Sequence, residues 1–366
     1  MSYLNQAGTS WPKPASVQRA VRAALEESHE SWPETFERQQ ARVARAFGAA
    51  PDRLLLTPGC TSALSTAVAD FDWREGDRVL TSGLEHHALH RPLTLLERRG
   101  VRVTTVGRKA HATLDLDALR TELAVGDVRL VALTAACNVT GELLPVSEAT
   151  ALAHEHGARI LVDAAQVAGW MELDVEELGV DLLAFAGHKA LRAPWGIGGL
   201  YVAPDLALAT PAATCELPAP GAESAPCAPM PGYCDVGSVD RLALAGLVAA
   251  LDDPTEGALP ERLRRARSLL EPLEARVDDD VRLHRLGLRD PDQRLPTVAF
   301  TVEGRSTQEV VAAFSAQGVV VAGGLQCAPL AHRTLGTDPE GAVRVSVGPA
   351  NREEDVQRAV EVLEAL

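Results

Sequence analysis

The sequence predicts an α/β fold, in which a large domain with a mainly parallel seven-stranded sheet is followed by a smaller α+β C-terminal domain. A chain of 366 residues, 46% of them apolar, can bury one substantial core and a smaller one. From Ala15 to about Ala203, short β-branched or leucine-rich runs alternate with helical periodicity, which is typical of βαβ units. Pro204 to Val239 is dense in proline, glycine and alanine and separates this block from the rest. We expect residues 15–240 to form the large domain, and residues 1–14 with 241–366 to form the small one.

The first block contains the strands and helices expected in the large domain. Strands are predicted at Arg53–Leu56, Arg78–Thr81, Val101–Val106, Arg129–Leu133, Arg159–Val162, Asp181–Phe185 and Ile197–Val202. Helices are predicted between them at Thr61–Asp70, Leu89–Arg98 and Ser147–His156. Ligands of such sheets bind at the carboxyl ends of the strands, so the residues that follow each strand are expected to carry function.

The second block mixes helices and strands in the way expected of a small α+β domain. A long helix is predicted at Leu259–Arg276, and strands are predicted at Thr297–Val302, Val319–Val321 and Val343–Val347. The final helix is expected to open at Asn351, with Glu354 three residues later completing a capping box.

Charge and hydropathy exclude several classes of partner. The net charge of −15 and the pI near 5.1 have the wrong sign for binding phosphate backbones, so we expect no nucleic-acid partner. The first six residues contain neither a basic stretch nor an apolar core, and the apolar run Leu242–Leu251 is too short to cross a bilayer. We therefore expect a soluble, cytoplasmic protein with no membrane partner.

The six cysteines are scattered through the chain and form no Cys-x-x-Cys motif, which favours reduced thiols over a disulfide framework. Cys215, Cys227 and Cys234 share one segment, but that segment contains no histidine and their spacing matches no common zinc pattern. We expect no metal site.

Two charged residues at strand ends predict the chemistry. The predicted strand from Asp181 runs into Gly187-His188-Lys189, and an isolated lysine in that position is usually a surface charge. Upstream, the strand from Arg159 ends at Asp163, which alone would also suit a helix N-cap. A carboxylate beside the pyridine nitrogen of pyridoxal 5'-phosphate (PLP) keeps that nitrogen protonated, so that the ring can accept electrons. Together the two residues predict that Lys189 carries PLP as a Schiff base.

Three motifs give the sequence a family resemblance. Val162-Asp-Ala-Ala-Gln166, Ala186-Gly-His-Lys189 and Gly196-Ile-Gly198 resemble the class V aminotransferase family of fold-type I PLP-dependent enzymes. Within that family the sequence is most similar to the cysteine desulfurase and selenocysteine lyase branch. The likeness runs from Tyr3 to Pro14 at one end to Cys327-Ala-Pro329 and Val343–Ser346 at the other. It implies a fold-type I PLP-dependent transferase fold and a homodimer.

The resemblance also implies roles around the cofactor. The turn Thr57–Ser62 joins a strand to a helix, where free N–H groups would hold the PLP phosphate, although an ordinary N-cap would look the same. The residues given roles by the resemblance are Gly59, Cys60, Thr61 and His188 at the phosphate, His86 stacked on the ring as a catalytic residue, and Asn138 and Gln166 near the 3'-oxygen.

The residues expected to bind the substrate carboxylate and to accept sulfur lie in the second block. Arg344 matches the family's carboxylate-binding arginine, whose planar fork suits a carboxylate, and Asn138 is expected to assist it. Cys327 matches the cysteine that takes sulfur from the substrate, and Gly323 and Gly324 before it are expected to give its loop mobility. A packed or incidental thiol is the alternative for Cys327.

Several positions depart from the family pattern. Ala186 stands where serine is usual, Ala322 replaces an arginine, and Arg192-Ala193 replaces a small residue and glycine. The glycine-rich loop that reaches the partner subunit's phosphate is unrecognisable in Thr214–Gly221, and Asn5-Gln6-Ala7-Gly8 replaces Asp-Asn-Ala-Ala. Most of these changes surround the substrate and the phosphate, so they leave the substrate and the reaction open.

The leading hypothesis is a cysteine desulfurase that converts L-cysteine to alanine, with Lys189 moving the Cα proton and Cys327 keeping the sulfur as a persulfide. A possible sulfur-acceptor protein would then be a partner. The nearest alternative is a carbon–sulfur β-lyase that releases a thiol, pyruvate and ammonia from a cysteine conjugate without Cys327. An aminotransferase or epimerase, and a PLP-fold protein kept only for binding, are weaker alternatives.

Overall fold

The computed structural model describes residues 1–208, 239–253 and 257–366. The predicted loop Pro204–Val239 lies largely outside the described residues, as do Cys215, Cys227, Cys234 and the Thr214–Gly221 segment. The strands are β1 (Ser2–Tyr3), β2 (Leu54–Thr57), β3 (Arg78–Ser82), β4 (Arg102–Val106), β5 (Val128–Thr134), β6 (Arg159–Asp163), β7 (Leu182–Ala186), β8 (Gly198–Val202), β9 (Leu283–Leu286), β10 (Thr297–Val302), β11 (Val319–Val320) and β12 (Val343–Ser346). The helices are α1 (Ala15–Glu26), α2 (Trp32–Arg45), α3 (Cys60–Ala69), α4 (His87–Leu96), α5 (Leu116–Ala124), α6 (Val146–Glu155), α7 (Val175–Leu178), α8 (Arg241–Leu251), α9 (Leu259–Asp279), α10 (Thr307–Ala316), α11 (Pro329–Leu335) and α12 (Glu353–Ala365).

The large sheet has seven strands in the order β2-β8-β7-β6-β5-β3-β4, which confirms the predicted α/β fold. Neighbours from β7 to β4 pair in parallel, whereas β8 is antiparallel to both β7 and β2. Each predicted strand is present, and its ends move by one residue at most. The ends of β3, β5, β6 and β7 therefore meet at one edge of the sheet.

The central strands β5, β6 and β7 are buried on both faces of the sheet, which is why they are almost continuously apolar, whereas the edge strand β4 is partly exposed. Successive residues of β2 show this directly, since Leu54 and Leu56 pack into one hydrophobic cluster and Leu55 into another. Helices α3 and α4 cover the Leu55 side, and α5 and α6 cover the other side. This two-sided burial makes the sheet a rigid platform for the residues at its carboxyl edge.

A three-stranded antiparallel sheet, β12-β10-β9, lies in the C-terminal part with α9, α10 and α12. The first residues of the chain join this part, because β1 pairs in parallel with β11 and Asn5 bridges to Ser346. Helix α8 packs against α1 and α2. The domain boundary at residues 240/241 stays a prediction.

The start of the last helix differs from the prediction. Helix α12 begins at Glu353, and the carboxylate that accepts the N–H of the capping residue Arg352 belongs to Asp355 rather than Glu354. Asn351 is buried instead, where its Oδ1 accepts from Gly348 N (2.8 Å) and its Nδ2 donates to Tyr3 O (2.9 Å). The predicted Asn351–Glu354 capping box is therefore wrong, because tertiary hydrogen bonds to the N-terminal segment take the Asn351 side chain.

Within residues 1–208, 239–253 and 257–366, no helix is long and apolar enough to span a membrane. The same residues contain no cluster of three or more histidine, cysteine or acidic side chains arranged to hold a metal ion. Cys60, Cys137 and Cys327 are free thiols, the first two buried and the third exposed.

Candidate active site

A cavity of about 670 Å³ lies at the carboxyl edge of the large sheet, between that sheet and the loop that precedes α11. Every site residue predicted from the sequence lines it: Gly59, Cys60, Thr61, His86, Asn138, Asp163, Gln166, His188, Lys189, Cys327 and Arg344. A larger open groove of about 1000 Å³ between α9 and α12 contains none of these residues. Placement in the cavity does not test the individual roles, which stay predictions.

Asp163, the last residue of β6, is only 3% exposed and lies deep in the cavity. Its Oδ1 accepts hydrogen bonds from Ala165 N (2.9 Å) and from the Cys60 thiol (3.3 Å). Burial, together with the Asp163 carboxylate, raises the pKa of Cys60 well above its ordinary value, so Cys60 is a neutral S–H donor. No other hydrogen bond reaches the Asp163 side chain from the described residues, which leaves Oδ2 for a ligand.

Lys189 follows β7 through a tight turn. Gly187 N donates to Ile197 O (2.9 Å), and the Gly187 carbonyl oxygen accepts from Ala193 N (2.9 Å). A Cβ at Gly187 would approach Ile197 Cγ2 to 2.8 Å, so the turn requires glycine. Burial lowers the pKa of Lys189, against the opposing effect of the Asp163 carboxylate. A lowered pKa makes it easier for lysine to lose its proton and form the neutral amine that covalent and proton-transfer chemistry needs.

His86 is the N-cap of α4, and its Nδ1 accepts from Ala88 N at 3.0 Å. That bond places the proton of the neutral ring on Nε2. Burial, assisted by the nearby Lys189 charge, lowers the pKa of His86 to about 4, so the ring is neutral near pH 7. The helix cap and the burial together fix this ring in one tautomer at the cavity wall.

Glu85, beside His86, is a buried carboxyl group for which the sequence predicts no role. It accepts from the Ser82 hydroxyl and from Thr134 N (2.8 Å), and thereby links the ends of β3 and β5. Burial raises the pKa of Glu85 to about 8. In the sequence, only the position of Glu85 next to His86 indicates that Glu85 could have a structural role at the site.

The first turn of α3 supplies another part of the wall through Gly59, Cys60, Thr61 and Ser62. A Cβ on Gly59 would meet no heavy atom within 4 Å, so open space adjoins this helix start. His188 also lines the cavity; its Nδ1 lies 3.1 Å from Thr9 Oγ1, and burial lowers the pKa of His188 to about 4. A helix start with a threonine and a serine hydroxyl beside open space suits an anionic group.

Arg344 of β12 is only 4% exposed and forms the wall on the small-sheet side. Its Nη1 donates to Asn138 O and its Nη2 to Asn5 Oδ1 (2.8 Å), while its Nε has no partner among the described residues. Burial lowers the pKa of Arg344 to about 10. None of the described carboxylates forms a salt bridge with this guanidinium.

Cys327 is exposed at the edge of the cavity, and its loop is fastened to the rest of the site. Its carbonyl accepts from His87 N (2.8 Å), and the Gln326 carbonyl accepts from Asn138 Nδ2 (2.7 Å). Gln326 and Cys327 both adopt left-handed backbone angles, with φ of 45° and 58°. In this conformation the loop is held at successive residues, and the mobility expected from Gly323 and Gly324 stays a prediction.

The chain matches a family model described as "Aminotransferase class-V" over residues 8–359. It is 31% identical to an IscS-like cysteine desulfurase from Mycobacterium tuberculosis, with 99% of this chain and 95% of the relative aligned. It is 29% identical to a probable cysteine desulfurase from Methanothermobacter thermautotrophicus, with 100% and 94% aligned. A solved cysteine desulfurase from Thermococcus onnurineus superposes with a TM-score of 0.88 at 25% identity, covering 99% of this chain and 94% of that one.

Proposed function

Because the chain belongs to the class V aminotransferase family, we propose that it is a PLP-dependent cysteine desulfurase, which converts L-cysteine to alanine and keeps the sulfur as a Cys327 persulfide. Full-length relatives named cysteine desulfurase support this proposal. The observation that carries it is the single cavity that joins Lys189, Asp163 and Arg344 with the exposed Cys327 at its edge.

The residues of the cavity fit PLP. Asp163 presents an oxygen that forms no hydrogen bond within the described chain, and this oxygen would accept a hydrogen bond from a pyridine N–H. The start of α3 offers hydroxyl and N–H groups beside open space for a phosphate, and Lys189 offers an amine with a lowered pKa for the aldehyde. Bound there, PLP supplies an electron sink for bond breaking next to the amino group of the substrate.

The remaining steps fall to side chains of this chain. Arg344 binds the substrate carboxylate, and Lys189 removes the Cα proton and later returns a proton to carbon. The Cys327 thiolate attacks the substrate sulfur: the S–S bond forms as the C–S bond breaks, and the carbon that loses sulfur gains a proton to give alanine.

The test is to identify both products from L-cysteine and to compare the wild type with Cys327→Ala. We expect alanine as the amino-acid product, and a wild-type Cys327 peptide that carries the mass of one extra sulfur atom. In Cys327→Ala, alanine formation should fall at least about a hundredfold, because the nucleophile is lost. Full alanine formation by this variant would contradict the role of the thiol, and pyruvate as the main product would contradict desulfuration itself.

A carbon–sulfur β-lyase acting on a cysteine conjugate is the second candidate, and the small side chain at Ala322 favours it. Ala322 exchanges backbone hydrogen bonds with Arg344 (2.9 and 3.0 Å), so the arginine usual in the family would lie beside the carboxylate site. Alanine leaves room there for a larger substituent on sulfur. Pyruvate and ammonia from an S-substituted cysteine, undiminished in Cys327→Ala, would establish this alternative.

The assembly and location of the protein are also proposals. We infer a homodimer from the family resemblance, a sulfur-acceptor protein from the exposure of Cys327, and a cytoplasmic location from the sequence. Light scattering on the PLP-loaded protein tests the first, with a monomer as the contrary result. Aminotransferase or epimerase activity would show itself by consumption of a second keto acid or by inversion at Cα, and a binding-only protein would leave cysteine unchanged.

A further inference from the structure

Glu142 is a fully buried carboxylate that lies outside the cavity, at the end of the turn that carries Asn138. This turn, residues 137–142, follows β5 and is called the Asn138 turn below. It is closed by backbone hydrogen bonds from Cys137 N to Glu142 O (2.9 Å) and from Gly141 N to Cys137 O (2.9 Å). A buried carboxylate is costly unless other groups of the protein replace the water that it has lost.

The groups that replace this water come from three parts of the chain. Arg108, which follows β4, forms a two-pronged ion pair with Glu142, in which Nη1 lies 3.1 Å from Oε2 and Nη2 lies 2.8 Å from Oε1. The Thr140 hydroxyl donates to Oε2 (2.7 Å) from within the Asn138 turn. Leu288 N, just after β9, donates to Oε1 (2.9 Å). One carboxylate therefore joins the large sheet, the Asn138 turn and the small sheet.

Close packing leaves this junction little freedom. Gly287 has a φ of +82°, and a Cβ there would lie 2.8 Å from Glu142 Cδ and 2.9 Å from Thr140 Cβ. Glycine is therefore required where the chain passes the carboxylate. The backbone of the turn is fixed to the same part of the chain, because Leu295 N donates to Gly141 O (2.8 Å).

The Asn138 turn holds two groups that are expected to act on the substrate. The Asn138 carbonyl accepts from Arg344 Nη1, and the Asn138 Nδ2 group donates to Gln326 O (2.7 Å), next to Cys327. A shift of the turn would therefore move the guanidinium and the Cys327 loop together. The hydrogen bonds on the Asp163 side chain come from α3 and from the residues after β6 instead, so they do not depend on Glu142.

We propose that Glu142 is a positioning residue for the groups that bind the substrate. Its ion pair with Arg108 fixes the Asn138 turn. Through that turn it holds Arg344 for the carboxylate of the amino acid and the Cys327 loop for the substrate sulfur. This proposal rests on the proposed function, which assigns those two roles. It predicts a loss of amino-acid binding without a loss of cofactor binding.

The experiment compares Glu142→Gln with the wild type. L-Alanine binding to the PLP-loaded protein is measured by calorimetry, and PLP affinity is measured by fluorescence titration of the cofactor-free protein. Glutamine keeps the size of the side chain but cannot pair with both nitrogens of Arg108, so alanine should bind about tenfold more weakly, while PLP affinity should change less than about twofold. Thr140→Val removes only one hydrogen bond to Oε2 and should weaken alanine binding about threefold to fivefold.

Further variants separate the ion pair from other causes. Glu155→Gln makes the same carboxylate-to-amide change at an exposed residue that pairs with Arg120 (3.2 Å) outside the cavity, so it should bind alanine and PLP like the wild type. Arg108→Gln should weaken alanine binding, and its combination with Glu142→Gln should lose less than the sum of the two, because both act through one pair. Thermal melting checks that each variant is folded.

Wild-type alanine affinity in Glu142→Gln, or in Thr140→Val where Glu142→Gln does not fold, would overturn the proposal. Equal losses of PLP and alanine affinity would also overturn it, because they would indicate general damage to the fold. Unchanged alanine binding in Arg344→Ala would mean that Arg344 does not bind the carboxylate. Alanine binding is measured without turnover, so failure of the desulfurase proposal, seen in the products from cysteine, is distinguishable from failure of the Glu142 proposal.

Discussion

The cofactor side and the substrate side of the cavity are built in different ways. On the cofactor side, Asp163 and Lys189 leave the ends of neighbouring parallel strands, and His86 caps the helix that follows β3. On the substrate side, Arg344 is held by Asn5 from the other end of the chain, and Asn138 fastens the Cys327 loop. Strand ends of one sheet place the first group, whereas long-range hydrogen bonds place the second. We therefore expect the cofactor side to set the kind of reaction and the substrate side to set the substrate.

Replacement of Lys189 tests this division most strongly. Lys189→Ala should lower every PLP-dependent activity at least about a thousandfold, because proton transfer at Cα loses its base. Cys327→Ala should abolish only sulfur acceptance and leave proton exchange at Cα intact. The measurement is exchange of the Cα proton of L-alanine with deuterated solvent, followed by NMR.

The matched control for Lys189 is Lys109→Ala, which removes an exposed lysine that pairs with Asp115 and Asp117 outside the cavity. It should exchange at the wild-type rate. If Cys327→Ala stopped exchange as completely as Lys189→Ala, the two sides of the cavity would not be separable in the way described.

Titration of His86, on the cofactor side, should make the free energy of unfolding depend on pH. Burial lowers the pKa of His86 from its ordinary 6.5 to about 4, so in the cofactor-free protein the unfolded state binds the extra proton between these values. The contribution of neutral His86 to the stability of the folded state is therefore fully present above pH 6.5 and is lost as the pH falls toward 4. The loss should be on the order of 2 kcal/mol in the free energy of unfolding, measured with urea at several pH values.

His86→Asn isolates this effect, because asparagine also accepts the N-cap hydrogen bond but does not titrate. The variant should show a flatter fall in stability between pH 6.5 and 4, and the exposed His111→Asn should keep the wild-type slope. An unchanged slope in His86→Asn would mean that the cofactor side does not hold this ring neutral by burial.

The same contrast explains what the sequence could predict. The large sheet was predictable because strands buried on both faces, such as β6 and β7, read as apolar runs with functional residues at their ends. The contact of Asn5 with Arg344 was not, because it depends on the pairing of β1 with β11 and on the Asn5 bridge to Ser346. Neither pairing leaves a local pattern.

Individual polar residues were ambiguous for the same reason. Asn351 has the local signature of a helix cap, yet its side chain is taken by Tyr3 and Gly348. Glu85 has no local signature, since its role follows from Thr134, which the fold brings beside it. Local signals therefore identified the residues at strand ends, while tertiary hydrogen bonds decided how the others are used.

Replacement of Cys60, which hydrogen-bonds to Asp163 on the cofactor side, should have the smallest effect of these changes. Its thiol donates to Asp163 Oδ1 at 3.3 Å, so Cys60→Ala removes one of the two hydrogen bonds on that oxygen. Because S–H is a weak donor, we take this hydrogen bond to be worth about 1 kcal/mol, so PLP affinity should fall about fivefold, measured by fluorescence titration of the cofactor-free protein. Cys60→Ser retains a donor and should recover most of that loss. Equal affinity in Cys60→Ala and the wild type would show that Ala165 N alone orients Asp163, and that the strand end needs no help from α3.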